Sequence, residues 1–161
     1  MACSVATPIQ AQDKGAAPDV LFDATDPAKV ADALKLAGYK AILKKGDDGD
    51  PYIESGANGG TFTVDFYDCK EGKCTSFQFS SFYNADPLWT IAFANDWNVH
   101  NRFLKVAIDE KGQLRENLYG TGVGKLTQAN FADLVDWFQT ADGELSRFIA
   151  DKRAEAKPKA K

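Results

Sequence analysis

Cys69 and Cys74 are the residues of this chain whose type and spacing bear most directly on chemistry. Spaced as C-x4-C, they do not make the C-x-x-C of a dithiol redox site. Cys3 is the only other cysteine and His100 the only histidine, so no second pair exists to complete a tetrahedral zinc site. The two cysteines flank the turn Lys70-Glu71-Gly72-Lys73, each at the end of a run of alternating polar and apolar residues. That placement fits a cross-strand disulfide, which requires an oxidising compartment. Two free thiols in a reducing compartment are the alternative. A bond closing so short a loop adds only about 2 kcal/mol by the chain-entropy argument.

The remaining motifs fall to the same kind of check. Tyr119 to Thr127 (YGTGVGKLT) follows a strand pattern and precedes a helix pattern, as a phosphate-binding loop would. A Walker loop needs Gly where Tyr119 stands and Ser or Thr where Leu126 stands, and a dinucleotide fingerprint needs Gly where Lys125 stands. The stretch therefore reads as a flexible strand-to-helix connection. Asp47, Asp48 and Asp50, with Glu54 nearby, are flanked by strands, whereas an EF-hand ladder needs twelve residues between helices. They read as a polar turn. His100 has no serine or cysteine partner that spacing can nominate, and Ser76, Ser80 and Ser81 lack a nucleophile-elbow motif. No catalytic, cofactor-binding or metal-binding residue is assigned, and no cofactor is expected.

These residues must be positioned by a set of elements that the pattern lays out in order. Asp26-Pro27 opens a helix, with Asp26 as N-cap and Pro27 at the first turn, and Gly38 closes it in a left-handed conformation. Tyr39–Lys44 and Pro51–Glu54 are a strand pair around the Gly46–Asp50 turn. A turn over Gly56–Gly60 leads to the central hairpin, Thr61 to Tyr83. Alternation puts Phe62, Val64 and Phe66 on one face. The loop length then sets Cys69 opposite Cys74, Phe66 opposite Phe77 and Val64 opposite Phe79. This register predicts apolar pairs on the core face and both cysteines on the polar face, and a slip of one residue would break all of it.

Asp86-Pro87 is read as a second helix start. The helix should run to about Asn101 and pack deeply on the sheet, since its first half is apolar almost all round. Arg102–Asp109 and Leu114–Tyr119 form another strand pair, with Leu104, Val106 and Ile108 facing the core. Thr127 caps the last helix, whose stripe is Phe131, Leu134, Val135, Phe138, Leu145, Phe148 and Ile149. Gly143 is expected to kink or split it near Ala141, and it should fray after Asp151. The fold class is α+β, helices packed on an antiparallel sheet in the order α-β-β-β-β-α-β-β-α.

Composition narrows function by exclusion. The 161 residues are 44% hydrophobic and 26% charged, with eleven Phe, five Tyr and three Trp, which fits one globular domain with an aromatic core. A net charge of −4 argues against nucleic acid, whose partners carry a basic face. No run of about 18 apolar residues is present, so no transmembrane segment is expected. Residues 1–19 read as a leader and linker. Met1–Gln12 resembles the end of a secretory signal peptide, with Ile9-Gln10-Ala11 near a cleavage site, and a short disordered leader is the other reading. Residues 20–153 form the domain and 154–161 a disordered basic tail. A leader and a disulfide together place the protein in the periplasm or outside the cell, the cytoplasm being the alternative.

Several segments carry a family likeness. Leu34–Lys40 (LKLAGYK), Gly49–Ser55 (GDPYIES), the Phe-rich C-x4-C hairpin, and Asn95–Asn98 (NDWN) followed by Asn101–Phe103 (NRF) resemble the YbjN-domain family. The likeness spans about Val20 to Ile149. Gly120–Lys125 departs from it, standing where an acidic segment is expected in relatives. The resemblance implies a fold like that of type III secretion chaperones and a non-enzymatic regulator of sensory transduction, without supplying a ligand or a catalytic set.

The function expected is therefore that of a module binding another protein or peptide. The candidate interaction surface is the helix end Asn95, Trp97, Asn98, His100 and Asn101, where asparagine amides stand beside an apolar ring. The competing view is structural: Trp97 in the core, and the asparagines capping the helix and bonding the next strand. A homodimer holding client segments on an exposed sheet face or in a helix groove is a second expectation. A carrier of a small apolar ligand or lipid in the aromatic interior is the alternative function.

Overall fold

A computed structural model of the chain describes residues 19–156. The expected leader lies almost wholly outside them, as does most of the expected basic tail. The elements are β1 (Leu21–Phe22), α1 (Pro27–Leu36), β2 (Ile42–Lys45), β3 (Pro51–Ala57), β4 (Gly60–Lys70), β5 (Lys73–Tyr83), α2 (Ile91–His100), β6 (Lys105–Ile108), β7 (Leu114–Thr121), β8 (Leu126–Thr127) and α3 (Gln128–Glu155). Six strands make one antiparallel sheet in the order β2-β3-β4-β5-β7-β6. This is the expected α+β order, with one addition. The two-residue strands β1 and β8 pair with each other and are too short to carry a periodic signal. No helix among the described residues is long and apolar enough to cross a membrane.

The core lies between one face of the sheet and the helices. Phe62, Val64, Phe66, Phe77 and Phe79 from the central hairpin meet Phe131, Val135, Phe138 and Leu145 from α3. Phe79 stacks on Phe138 with centroids 5.5 Å apart, and Phe131 meets Phe22 edge-on at 5.6 Å. Helix α1 starts as its residues require: Asp26 accepts the Ala28 amide at 3.0 Å, and Gly38 closes the end at φ 93°.

The hairpin register is the one the alternation demands, with Phe66 opposite Phe77, Val64 opposite Phe79 and Cys69 opposite Cys74. Lys70 pairs with Lys73, so only Glu71 and Gly72 form the turn, both at positive φ, as a tight hairpin of this hand needs. The expected faces fail at the tip. Asp68 sits at φ 53°, which breaks the alternation between Phe66 and Cys69. Cys74 is consequently buried in the core cluster, and Cys69 packs against that cluster. The cysteines therefore lie on the helix side of the sheet and not on its polar face.

Four further expectations need correction. Helix α2 begins at Ile91, not Pro87, because Asp86 spends its side chain on the Leu88 amide and Thr90 caps the helix through the Phe93 amide. Nor is α2 deeply packed: Phe93 and Trp97 are buried, but Ile91 is 85% exposed. Helix α3 runs unbroken through Gly143 and on to Glu155. The glycine-rich connection is also pinned. A Cβ at Gly120 would lie 2.5 Å from the Phe77 ring, one at Gly122 would lie 2.7 Å from the Ala24 carbonyl oxygen, and the Gly122 amide donates to Thr75. These glycines serve close packing.

Candidate functional site

The Cys69 and Cys74 sulfurs stand at bonding distance, with Cα atoms 4.0 Å apart. The surrounding contacts tie this end of the hairpin to the start of α1. The Cys74 amide donates to the Thr25 carbonyl at 2.8 Å, and the Lys73 ammonium lies 3.0 Å from both Asp23 and Asp26. The Thr25 hydroxyl and Lys73 hold the Asp23 carboxyl well below the usual carboxylate range. The tip is a structural clasp between the first helix and the sheet.

At the far end of α2 the structure separates the five residues grouped by sequence. Trp97 is buried and donates from Nε1 to the Leu104 carbonyl at 3.1 Å. Asn98 grips the backbone of β6 twice: its Nδ2 donates to the Val106 carbonyl and its Oδ1 accepts the Val106 amide, both at 2.9 Å. Asn101 returns its Nδ2 to the Trp97 carbonyl at 2.9 Å. His100 Nδ1 lies 2.8 Å from the Asp96 carbonyl, and its ring is exposed along with Asn95. Asp96 is bound to Lys152 of α3, and that hydrogen bond holds its carboxyl below the ordinary value. Asn98 thus fixes α2 to β6, Trp97 ties it to the residue before that strand, Asn101 caps the helix, and two side chains face solvent.

The stiffness of this junction displays what comes next. The Leu104 amide donates to the Arg102 carbonyl at 2.8 Å, two residues back, around Phe103 at φ 60°. This is the rare form of γ-turn, a conformation that bulky side chains avoid. It turns the Phe103 ring outward onto Trp137 of α3, with centroids 4.3 Å apart and planes 26° from parallel. Phe103 stays 46% and Trp137 38% exposed. The Arg102 guanidinium sits 4.7 Å from the Phe103 centroid, within cation–π range. Asp136, Thr140, Ala141 and Glu144 continue the surface into a shallow cleft of about 270 Å³.

Sequence reasoning missed Phe103 and Trp137 as partners. Phe103 lies in the turn before β6 and not within the strand expected over Arg102–Asp109, and nothing local pairs it with a residue of α3. Trp137 falls beside the core stripe of its helix, and that offset was the available signal.

The profile of the YbjN family, described as "Putative bacterial sensory transduction regulator", matches residues 26–146. That span takes in every element from α1 to the middle of α3, the aromatic surface included. No curated protein matches the chain.

Proposed function

The chain belongs to the YbjN family, and we propose that it is a regulatory module that acts by binding another protein and catalyses no reaction of its own. The partner seats on the surface of Arg102, Phe103 and Trp137. The observation that carries this reading is Phe103, held at φ 60° and stacked on Trp137 while both rings remain partly in water. Strained residues that expose large rings cluster at functional sites, and Trp, Tyr and Arg dominate the energetics of protein contacts. Asn101 lines the same cleft, so part of the helix end expected from sequence borders it.

The cysteine pair supports a reading of the compartment. A bonded Cys69–Cys74 hairpin is favoured in the periplasm or outside the cell, and we assign the protein there. The alternative, carriage of an apolar ligand or lipid, would require the stacked rings of the interior to part. A homodimer is a second reading, supported by Tyr67, Phe82 and Tyr119, which are exposed on the face of the sheet that carries no helix.

Co-purification from the native envelope fraction tests the proposal. A specific partner recovered with the wild type should be lost with Trp137→Ala and kept with Tyr119→Ala. Retention by Trp137→Ala with loss by Tyr119→Ala would transfer the function to the open sheet face.

A further inference from the structure

A second feature of the molecule lies on the other side of α3. Strand β7 presents Leu114, Glu116 and Leu118 to the core face. Glu116 is fully buried, and neither carboxyl oxygen makes a well-formed hydrogen bond within the protein, with the Asp142 and Ser81 side chains close by. It opens onto a cavity of about 400 Å³ between the β3–β4 turn, the end of β5 and α3. Gln139, whose Oε1 is another buried acceptor without a donor, lines the same cavity, as do Asp142, Tyr83 and Ser146. The volume is within the range of small-molecule sites and far above the ~30 Å³ of one water.

The hydrogen bonds already made define what the cavity lacks. Asn58 Nδ2 donates to Asp142 Oδ2 at 3.1 Å and to the Gln139 carbonyl at 3.2 Å. The Ser81 hydroxyl donates to the Thr61 carbonyl at 3.1 Å, and Tyr83 and Ser146 share a bond of 3.0 Å. The donors of Asn58, Ser81 and the Tyr83–Ser146 pair are thus engaged. Without a bound cation Glu116 is held protonated beside Asp142, and a cation would displace that proton and leave Glu116, Asp142 and Gln139 Oε1 as its acceptors. No Lys, Arg or His side chain lines the wall, while Phe62, Phe138 and Ala57 give it an apolar part. A buried acceptor left unpaired costs about 1–3 kcal/mol, and a group supplying both donors and positive charge would satisfy Glu116, Gln139 and Asp142 together. An anionic ligand would meet two carboxyl groups and no cation.

We propose that this cavity is a binding site for a small organic cation, an ammonium or guanidinium on a short aliphatic stem, whose head is received by Glu116, Asp142 and Gln139. The stem lies against Phe62 and Phe138. The site is independent of the aromatic surface: Gln139, Asp142 and Ser146 occupy a different side of α3 from Trp137, Thr140 and Glu144, by the 100° advance per residue of the helix.

Titration of the ¹⁵N-labelled full chain with butylguanidinium and butylammonium tests it, with butyrate and butanol as controls. Saturable shifts should be confined to residues 57–62, 81–83, 116 and 138–146, with no such response to either control. Glu116→Gln should weaken binding at least ten-fold while leaving the rest of the spectrum unchanged. Ser146→Phe, which plugs the exposed mouth without touching the buried acid, should abolish it. Non-saturating shifts, equal shifts with butanol, or unchanged affinity in Glu116→Gln or Ser146→Phe would overturn the proposal.

Discussion

Phe103 stacks on Trp137 at 4.3 Å from a backbone held at φ 60°. A left-handed conformation costs an L-residue roughly 1–2 kcal/mol, and glycine adopts it freely. Phe103→Gly should therefore be more stable than Phe103→Ala by about 1 kcal/mol, although glycine ordinarily weakens a chain. Urea denaturation of the two variants checks this, and the reverse order would remove the strain from the account.

Asn98 holds β6 by two hydrogen bonds to one residue, Val106. Asn98→Ala leaves the Val106 amide and carbonyl without these partners, a loss of roughly 1–3 kcal/mol. A lowered melting temperature with undiminished partner binding is expected. Lost binding at full stability would return Asn98 to the interaction surface.

Cys69 and Cys74, with their sulfurs at bonding distance, should be recovered from the envelope as a disulfide. Intact mass under non-reducing conditions should be lower by two hydrogens than after reduction, and alkylation should fail until reductant is added. Reduction should destabilise the protein by about 2 kcal/mol. Two freely alkylated thiols in native material would withdraw the assignment to an oxidising compartment.

Burial in the sheet, reinforced by Asp142, raises the Glu116 carboxyl from an ordinary 4.5 to about 8. The folded state therefore holds a proton that the unfolded chain releases between these values, so stability falls as pH rises through that window. The slope from one proton is at most ~1.4 kcal/mol per pH unit. Tyr83 also faces Glu116 and Asp142, but burial pushes its hydroxyl up to about 12, outside the window. Glu116→Gln should flatten the profile from pH 5 to 8 in denaturation experiments. A wild-type profile already flat there would show that Glu116 is not held protonated.

What the sequence disclosed follows the range of the forces involved. The hairpin register was legible because period-two alternation and turn length act over a few residues. The location of its cysteines was not, because one residue, Asp68, adopts positive φ and reverses the faces beyond it. The start of α2 was misplaced because Asp86 and Thr90 are both good caps, and only the folded chain shows which amide each receives. Glu116 was legible in principle, since it stands between Leu114 and Leu118 on a strand that buries both. Its cavity was not, because Asn58, Tyr83 and Asp142 come from three distant segments. The pairing of Phe103 with Trp137 was hidden for the same reason.

The central claim is that a protein partner docks on the aromatic surface, and site-specific photo-crosslinking in the native host tests it most directly. A photoreactive residue at Thr140, in the cleft beside Trp137, should give one dominant cross-linked product with a second protein. That product should disappear when Trp137→Ala is added, and the same probe at exposed Leu36 of α1 should not form it. Cross-linking equal at Thr140 and Leu36, or undiminished by Trp137→Ala, would contradict the claim.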